Sequence, residues 1–209
     1  MPTLFLIRHG ENDLAKRGVL AGRLPGVHLN ERGRRQAEDL AQALGQLPIR
    51  AVYSSPLERA IETAAPLARV LDVGLRRDAG LIESDVGQWE GKSVRRLALS
   101  RYWRIVQRTP SRASHPGGES FVQTQARVVS ALERICGLHK PREIIACVLH
   151  SDPIKLAVAH FIGLPLDHFQ RLGCDTASVT MLALGPGSAR LIWLNRQPPF
   201  VIPASPPQR

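Results

Sequence analysis

Five apolar runs, at residues 3–7, 51–54, 144–149, 178–184 and 190–194, are separated for the most part by segments of helical periodicity. This alternation constrains the chain more than any other feature, because strand and helix taking turns along a sequence fold as an α/β sheet. The run next to the N-terminus, "LFLI", is apolar at every position, as expected of a strand buried on both faces, and it ends abruptly in Arg8 and His9. Cationic side chains at the end of a buried strand must face something polar.

The punctuation between the runs predicts where helices begin. Asn30 is placed to cap "ERGRRQAEDLAQAL", in which Ala37, Leu40, Ala41 and Leu44 form an apolar stripe. Ser55, Pro56 and Glu58 make a cap, a first-position proline and a capping box, so a helix is expected directly after the second run. Asp152 and Pro153 predict another after His150, ending near Gly163. Ser120 with Gln123 opens a long helix by the same capping-box logic. The last two runs read as a hairpin around Gly185 to Gly187. Residues 89–118 have no strand character and read as an inserted helical segment over the sheet, and the tail 197–209 is too proline-rich for regular structure. No internal repeat is present, and 209 residues fit one domain, 1–209.

Composition narrows the partners. Of 28 basic residues four are lysine (16, 92, 140 and 155), leaving 24 arginines against 18 acidic residues and a net charge of +10. Such a balance favours anionic partners, phosphorylated metabolites and nucleic acid included. The basic pairs (Arg34-Arg35, Arg76-Arg77, Arg95-Arg96) are scattered and form no long block, so nucleic acid is not expected as the partner. Cys136, Cys147 and Cys174 are odd in number and form no CxxC pair, which argues against a disulfide framework or a structural zinc site and for a reducing, cytoplasmic setting. No run approaches the roughly 18–20 apolar residues of a membrane helix, and no targeting leader is expected.

Ligands of open α/β sheets sit beyond the carboxyl ends of the strands, where helix N-termini also present free N–H groups. Arg8 and His9 follow the first run, Ser54, Ser55 and then Arg59 follow the second, and His150 and Ser151 follow the 144–149 run. Two imidazoles and two guanidiniums can therefore converge. Planar arginine forks match phosphate oxygens, so the site reads as an anion site. The chain has no HExxH pair or compact carboxylate cluster, and a catalytic metal is not expected.

"RHGE", "SSPLERAIETA", "LIESDVGQWEG", "PGGES" and a late strand ending in histidine, in this order, resemble the histidine phosphatase superfamily, also called the phosphoglycerate mutase-like superfamily. The resemblance runs from about Thr3 to Asn195. "GVLAGRLPGVHLNERG" and "HSDPIKL" further resemble a bacterial branch labelled phosphomutase or broad-specificity phosphatase. The resemblance implies a three-layer α/β/α sandwich with a mostly parallel central sheet and a small helical lid. It implies His9 as the nucleophile, forming a phosphohistidine, with Arg8, Arg59 and His150 binding the phosphoryl oxygens and no cofactor. Glu83 matches the proton donor, although Asp85 and Glu90 lie in the same stretch and periodicity does not choose among the three.

Three positions depart from the family pattern: Asn12 follows "RHGE" where Ser or Thr is common, Ala15 replaces an asparagine, and Ser151 replaces a glycine. Asn12 can stand in for the lost amide, Ser151 adds a hydroxyl, and Arg23 on the loop "GVLAGRLPG" can reach the distal end of a substrate. Tyr102 and Trp103 either line the cleft mouth or pack the inserted segment. The leading expectation is a metal-independent phosphomonoesterase acting on a small phosphorylated metabolite. A phosphoglycerate mutase-type phosphomutase is its rival within the fold, and a catalytically impaired phosphate-ligand or nucleic-acid binding module is a reading of a different class. A homodimer is allowed by the chain but not specified by it.

Overall fold

In strand β1 (Thr3–Arg8), Leu4 and Leu6 enter one hydrophobic layer while Phe5 and Ile7 enter the other, the period-two outcome of a strand covered on both faces. The computed structural model describes residues 1–185 and 187–200, and among them six strands form one sheet in the order β3-β2-β4-β1-β5-β6. The others are β2 (Ile49–Ser54), β3 (Leu75–Arg77), β4 (Ile144–Leu149), β5 (Val179–Gly185) and β6 (Ser188–Arg196). β3, β2, β4 and β1 pair in parallel, and β5 and β6 add two antiparallel pairings at the other edge. The sheet is therefore mostly parallel, and β4 lies between β1 and β2. This order sets the carboxyl ends Arg8, Leu149 and Ser54 side by side.

The helices are α1 (Asp13–Lys16), α2 (Glu31–Leu44), α3 (Glu58–Val70), α4 (Val94–Leu97), α5 (Arg101–Arg108), α6 (Phe121–Gly137) and α7 (Ser151–Phe161). Leu40, Ala41 and Leu44 of α2 and Ala60, Ala64 and Leu67 of α3 pack against Phe5, Ile7, Val52 and Val148. Val128, Leu132 and Ile135 of α6 and Ile154 and Val158 of α7 pack against Leu4, Leu6, Ile145 and Cys147. Each fully buried leucine or isoleucine in these layers contributes roughly 2 kcal/mol, and together they make the three-layer sandwich. The inserted segment has a third core, in which Trp89, Leu97, Val106 and Ala113 meet Phe121 of α6, Leu156 and Ala159 of α7, and Phe169. Tyr102 and Trp103 pack against Trp89, with ring centroids 5.9 and 5.5 Å away. Among the described residues no helix is long and apolar enough to cross a membrane.

Local expectations met mixed outcomes. Asn30 caps α2 by accepting from the Gly33 amide, and Ser120 and Gln123 form the capping box of α6. The helix after β2 starts at Glu58 rather than at Ser55, because Leu57 stays extended and the Ser55 hydroxyl is drawn to a histidine instead of a helix end. α7 starts at Ser151, before the expected Asp152 cap, and Asp152 instead pairs with Lys155 at 2.8 Å. β3 escaped the sequence reading, since three residues with a single apolar side chain carry almost no strand signal. The hairpin joining β5 and β6 is present, whereas the part of the tail beyond residue 200 lies outside the described residues.

One close approach governs the loop that leaves β1. The Glu11 amide donates to Gln36 Oε1 at 2.8 Å and its carbonyl accepts from the Asn30 amide at 3.1 Å, so the start of α2 lies directly on this loop. A Cβ on Gly33 would overlap the Glu11 carbonyl oxygen. Gly33→Ala is therefore expected to lower stability by about 1–3 kcal/mol and to displace the backbone two residues beyond His9, a pairing that thermal melts and turnover measured on one preparation will check.

Candidate active site

His9 follows β1 directly, and its backbone amide donates to Leu149 O at 3.0 Å, tying the histidine to the end of β4. Its Nδ1 lies 2.8 Å from the Gly10 carbonyl and donates to it, which leaves the Nε2 lone pair free. The Gly10 amide in turn donates to Thr63 Oγ1 at 2.9 Å, and Thr63 donates to the Arg59 carbonyl, so the loop is locked to α3. His150, at the end of β4, is fully buried, and its ring centroid lies 5.1 Å from that of His9.

Ser55 is the hydrogen-bond partner of His150. Its Oγ accepts from the Leu57 amide at 3.3 Å and lies 2.8 Å from His150 Nε2, so the hydroxyl proton is free to be donated to that nitrogen. When the hydroxyl donates there the imidazole proton sits on Nδ1, a buried atom without a partner among the described residues, 3.9 Å from Glu83 Oε2. Arg8 donates through Nη1 to Cys174 O at 2.6 Å, and Arg59 donates through Nη2 to Gly22 O at 2.8 Å. Arg8 Nε and Arg59 Nε and Nη1 are buried without partners among the described residues. Four buried donor atoms on three side chains are thus held by their neighbours and satisfied by none. Buried donors of this kind suit an anion with several oxygens, such as a phosphoryl group.

Burial, then the guanidiniums of Arg59 and Arg8, push His9 well below the usual histidine range, and the hydrogen bond to Gly10 only partly opposes them. His150 is lowered in the same way, by burial, Arg59 and His9. Both rings are therefore neutral at pH 7. Glu83 moves the other way, to about 7, because burial and the nearby charge of Asp152 outweigh Arg59, the Ser84 amide and Arg8. A carboxylic acid beside two neutral imidazoles can supply a proton near neutral pH.

The three carboxylates of the 83–90 stretch separate in space. Asp85 accepts from the Gly87 amide and Glu90 from the Arg23 amide at 2.6 Å, while the Glu83 carboxyl faces His150. Arg23 does not extend freely into solvent, since its Nε donates to Glu83 O at 2.9 Å and its Nη2 lies 2.9 Å from Glu119 Oε2. Asn12 is buried and caps α1, its Oδ1 accepting from the Ala15 amide at 2.8 Å. Ser151 opens α7 next to His150 and is half-buried.

Comparison with known proteins agrees with this geometry. The family model of the histidine phosphatase superfamily (branch 1) matches residues 4–197. The chain belongs to that superfamily. Phosphoserine phosphatase 1 of Hydrogenobacter thermophilus is 31% identical over 198 residues, covering 93% of this chain and 92% of its own. The 2,3-bisphosphoglycerate-dependent phosphoglycerate mutase of Thermoplasma acidophilum is 31% identical over 182 residues, with 87% of each chain covered. The mycobacterial glucosyl-3-phosphoglycerate phosphatase, solved in complex with VO3, superposes with a TM-score of 0.84 at 28% identity, covering 92% of this chain and 98% of that one. This histidine phosphatase is accordingly a phosphatase-type enzyme with the phosphoglycerate mutase-like fold.

Three participants had no assigned role in the sequence of this histidine phosphatase, although Ser55 stood at a strand end. Ser55 read as a helix cap, and Glu119 and Arg127 read as an undistinguished motif residue and a helix residue. Arg127 donates to the carbonyls of Gly80 and Ile82, each at 2.9 Å, and forks onto Glu119 at 3.0 and 2.8 Å. A carboxylate–arginine pair of sequence separation eight, seven of them along a helix, leaves no local signature.

The buried titratable groups make stability depend on pH. Below 6.5 the unfolded chain protonates His9 and His150 while the fold refuses both protons, so stability falls with falling pH. Glu83 opposes this between 4.5 and about 7, because there the fold holds a proton that the unfolded chain has lost. Between about pH 5 and 6 the two histidines outweigh Glu83, so the net effect of these three groups is a stability that rises with pH. Glu83→Gln removes the opposing group and should steepen that rise roughly twofold, which denaturant titrations at half-unit pH steps will show.

Proposed function

We propose that the protein is a metal-independent phosphomonoesterase acting on a small phosphorylated metabolite through a phosphohistidine at His9. The observation that carries this reading is the group of buried, unpartnered donors on Arg8, Arg59 and His150 gathered around a neutral His9 whose Nδ1 proton is already committed to Gly10. The Nε2 lone pair forms a bond to phosphorus while the bond from phosphorus to the leaving oxygen breaks, and Glu83 gives that oxygen its proton. Arg8, Arg59 and His150 stabilise the charge on the three equatorial oxygens, in place before the reaction begins. Water then attacks the phosphohistidine, its proton passes to the Glu83 carboxylate, the P–N bond breaks and inorganic phosphate leaves. Asn12, Ser151 and Arg23 border the phosphate subsite, Asn12 through the amide not used in capping α1. The free thiols of Cys136, Cys147 and Cys174 suit a reducing compartment such as the cytoplasm.

Rapid quenching of the protein with a phosphorus-labelled monoester in excess chelator tests the reading. An acid-labile, alkali-stable label on His9, forming and decaying at the rate of turnover, is the expected result. Turnover without such a label would overturn it.

The Thermoplasma acidophilum relative favours a second reading, phosphomutase, in which a hydroxyl of a bound substrate replaces water in the second step. Product analysis divides the two. Label released as inorganic phosphate supports the phosphatase, and label moved to a second hydroxyl without release supports the mutase.

A further inference from the structure

The carbonyl oxygen of Glu83 is held from two directions. Arg23, on the loop before α2, donates to it through Nε at 2.9 Å, and Arg127, on α6, donates through Nη2 at 3.3 Å. Arg127 also binds the carbonyls of Gly80 and Ile82, so one guanidinium holds three carbonyls of the four-residue stretch that ends at Glu83. Glu119 lies between the two cations, accepting both arms of the Arg127 fork and lying 2.9 Å from Arg23 Nη2. Its Oε2 further accepts from the Asp85 amide at 3.2 Å and from Thr124 Oγ1 at 3.0 Å, and its backbone amide donates to Asp85 O at 2.9 Å. The stretch from 79 to 86 forms only one short 3-10 turn, so these side chains supply the rigidity that a helix or strand would otherwise provide.

We propose that Glu119 and Arg127, together with Arg23, are positioning residues for phosphoryl transfer, a charge-paired clamp on the Glu83 backbone that aims the Glu83 carboxyl at the His9–His150 pair. The inference rests on the reading of Glu83 as the proton donor. Two guanidiniums gripping a donor's own carbonyl would by themselves favour its carboxylate form and disarm it. Glu119 offsets them, and its own ionised form is held by Arg127, Asp85 N–H and Arg23 against the cost of burial, which brings it down to about 2. Across the cleft Glu83 faces Asp152 from α7, Arg59 from α3, Arg8 from the end of β1, and His150. Asp85 and Glu90 complete the charges on the clamp side, through Arg23. The arrangement therefore separates two tasks, since backbone grip comes from the arginines and charge balance from Glu119.

The test compares Glu119→Gln, Arg127→Met and Glu83→Gln on an alkyl phosphate and on p-nitrophenyl phosphate, across pH 5.5 to 8.5, with inorganic phosphate as a competitive inhibitor. Arg127→Met is expected to slow phosphoenzyme formation from the alkyl phosphate about 10- to 100-fold and the nitrophenol burst from p-nitrophenyl phosphate far less, with inhibition by phosphate unchanged. Glu119→Gln is expected to move the alkaline limb of the alkyl phosphate profile down by about one pH unit, because it leaves two cations uncompensated beside Glu83. Equal losses on both substrates in phosphoenzyme formation, with the limb unmoved, would overturn the clamp as a positioning device while leaving Glu83 in its role. A Glu83→Gln variant that does not discriminate between the substrates in phosphoenzyme formation would overturn the reading of Glu83 and the clamp with it. If Arg127→Met folds poorly, Arg127→Lys, which keeps the charge and loses the fork, must show the same preference for the activated ester.

Discussion

His9→Ala is expected to reduce turnover of every phosphomonoester by at least about 10⁴-fold and to abolish the labelled phosphoenzyme, while inorganic phosphate still binds. The size follows from the part His9 plays. Its Nε2 is the atom that bonds to phosphorus, and no other side chain in the cluster combines neutrality, a free lone pair and a fixed tautomer. His150 is also neutral, but its Nε2 is engaged by the Ser55 hydroxyl and is not free to attack. The surviving Arg8, Arg59 and His150 donors explain why binding persists without chemistry. Phosphate should therefore still raise the melting temperature of the variant, as any ligand selective for the folded state does. A variant that keeps more than about one hundredth of wild-type turnover would instead require direct attack by water, because nucleophile loss on that scale is not compatible with an obligatory phosphohistidine.

The second large effect belongs to Glu83, and its signature is selectivity. Glu83→Gln should slow hydrolysis of an alkyl phosphate about 10²- to 10⁴-fold, since an alkoxide cannot leave without a proton. p-Nitrophenolate leaves unaided, so formation of the phosphohistidine from p-nitrophenyl phosphate should be nearly unaffected. The following hydrolysis still lacks its base, and a burst of nitrophenol followed by a slow steady rate is expected in rapid mixing. In the wild type, alkyl phosphate turnover should decline as pH rises through about 7, where the acid form of Glu83 is lost. The amide has no proton to lose in this range, so the variant's residual rate should not show that decline. A uniform loss on both substrates with the decline retained would move the donor's role to another group.

The strand ends were legible because the signal there is local. An apolar run stopping at Arg8 and His9, or at His150, reveals both the buried strand and the polar environment beyond it within ten residues. Asn30 and the Ser120–Gln123 pair were legible for the same reason, as helix caps act over three residues. Ser55 shows where such reasoning breaks down. Its sequence context is a good capping box, but β4 lies beside β2, and this brings a buried imidazole within 2.8 Å of the hydroxyl. A local preference worth about 1 kcal/mol gives way to satisfying a buried polar ring.

The sequence by itself determined the alternation of strand and helix, and with it the α/β class and the location of Arg8, His9, Arg59 and His150 at or just beyond strand ends. Tertiary structure alone decided which of Glu83, Asp85 and Glu90 faces His150, which hydroxyl His150 binds, and how Glu119 and Arg127 reach back to residues more than thirty positions earlier. The division has one physical cause. Backbone patterning and capping depend on neighbours a few residues apart, whereas carboxyl orientation, proton position and charge compensation depend on low-dielectric contacts that exist only after distant segments have excluded water together.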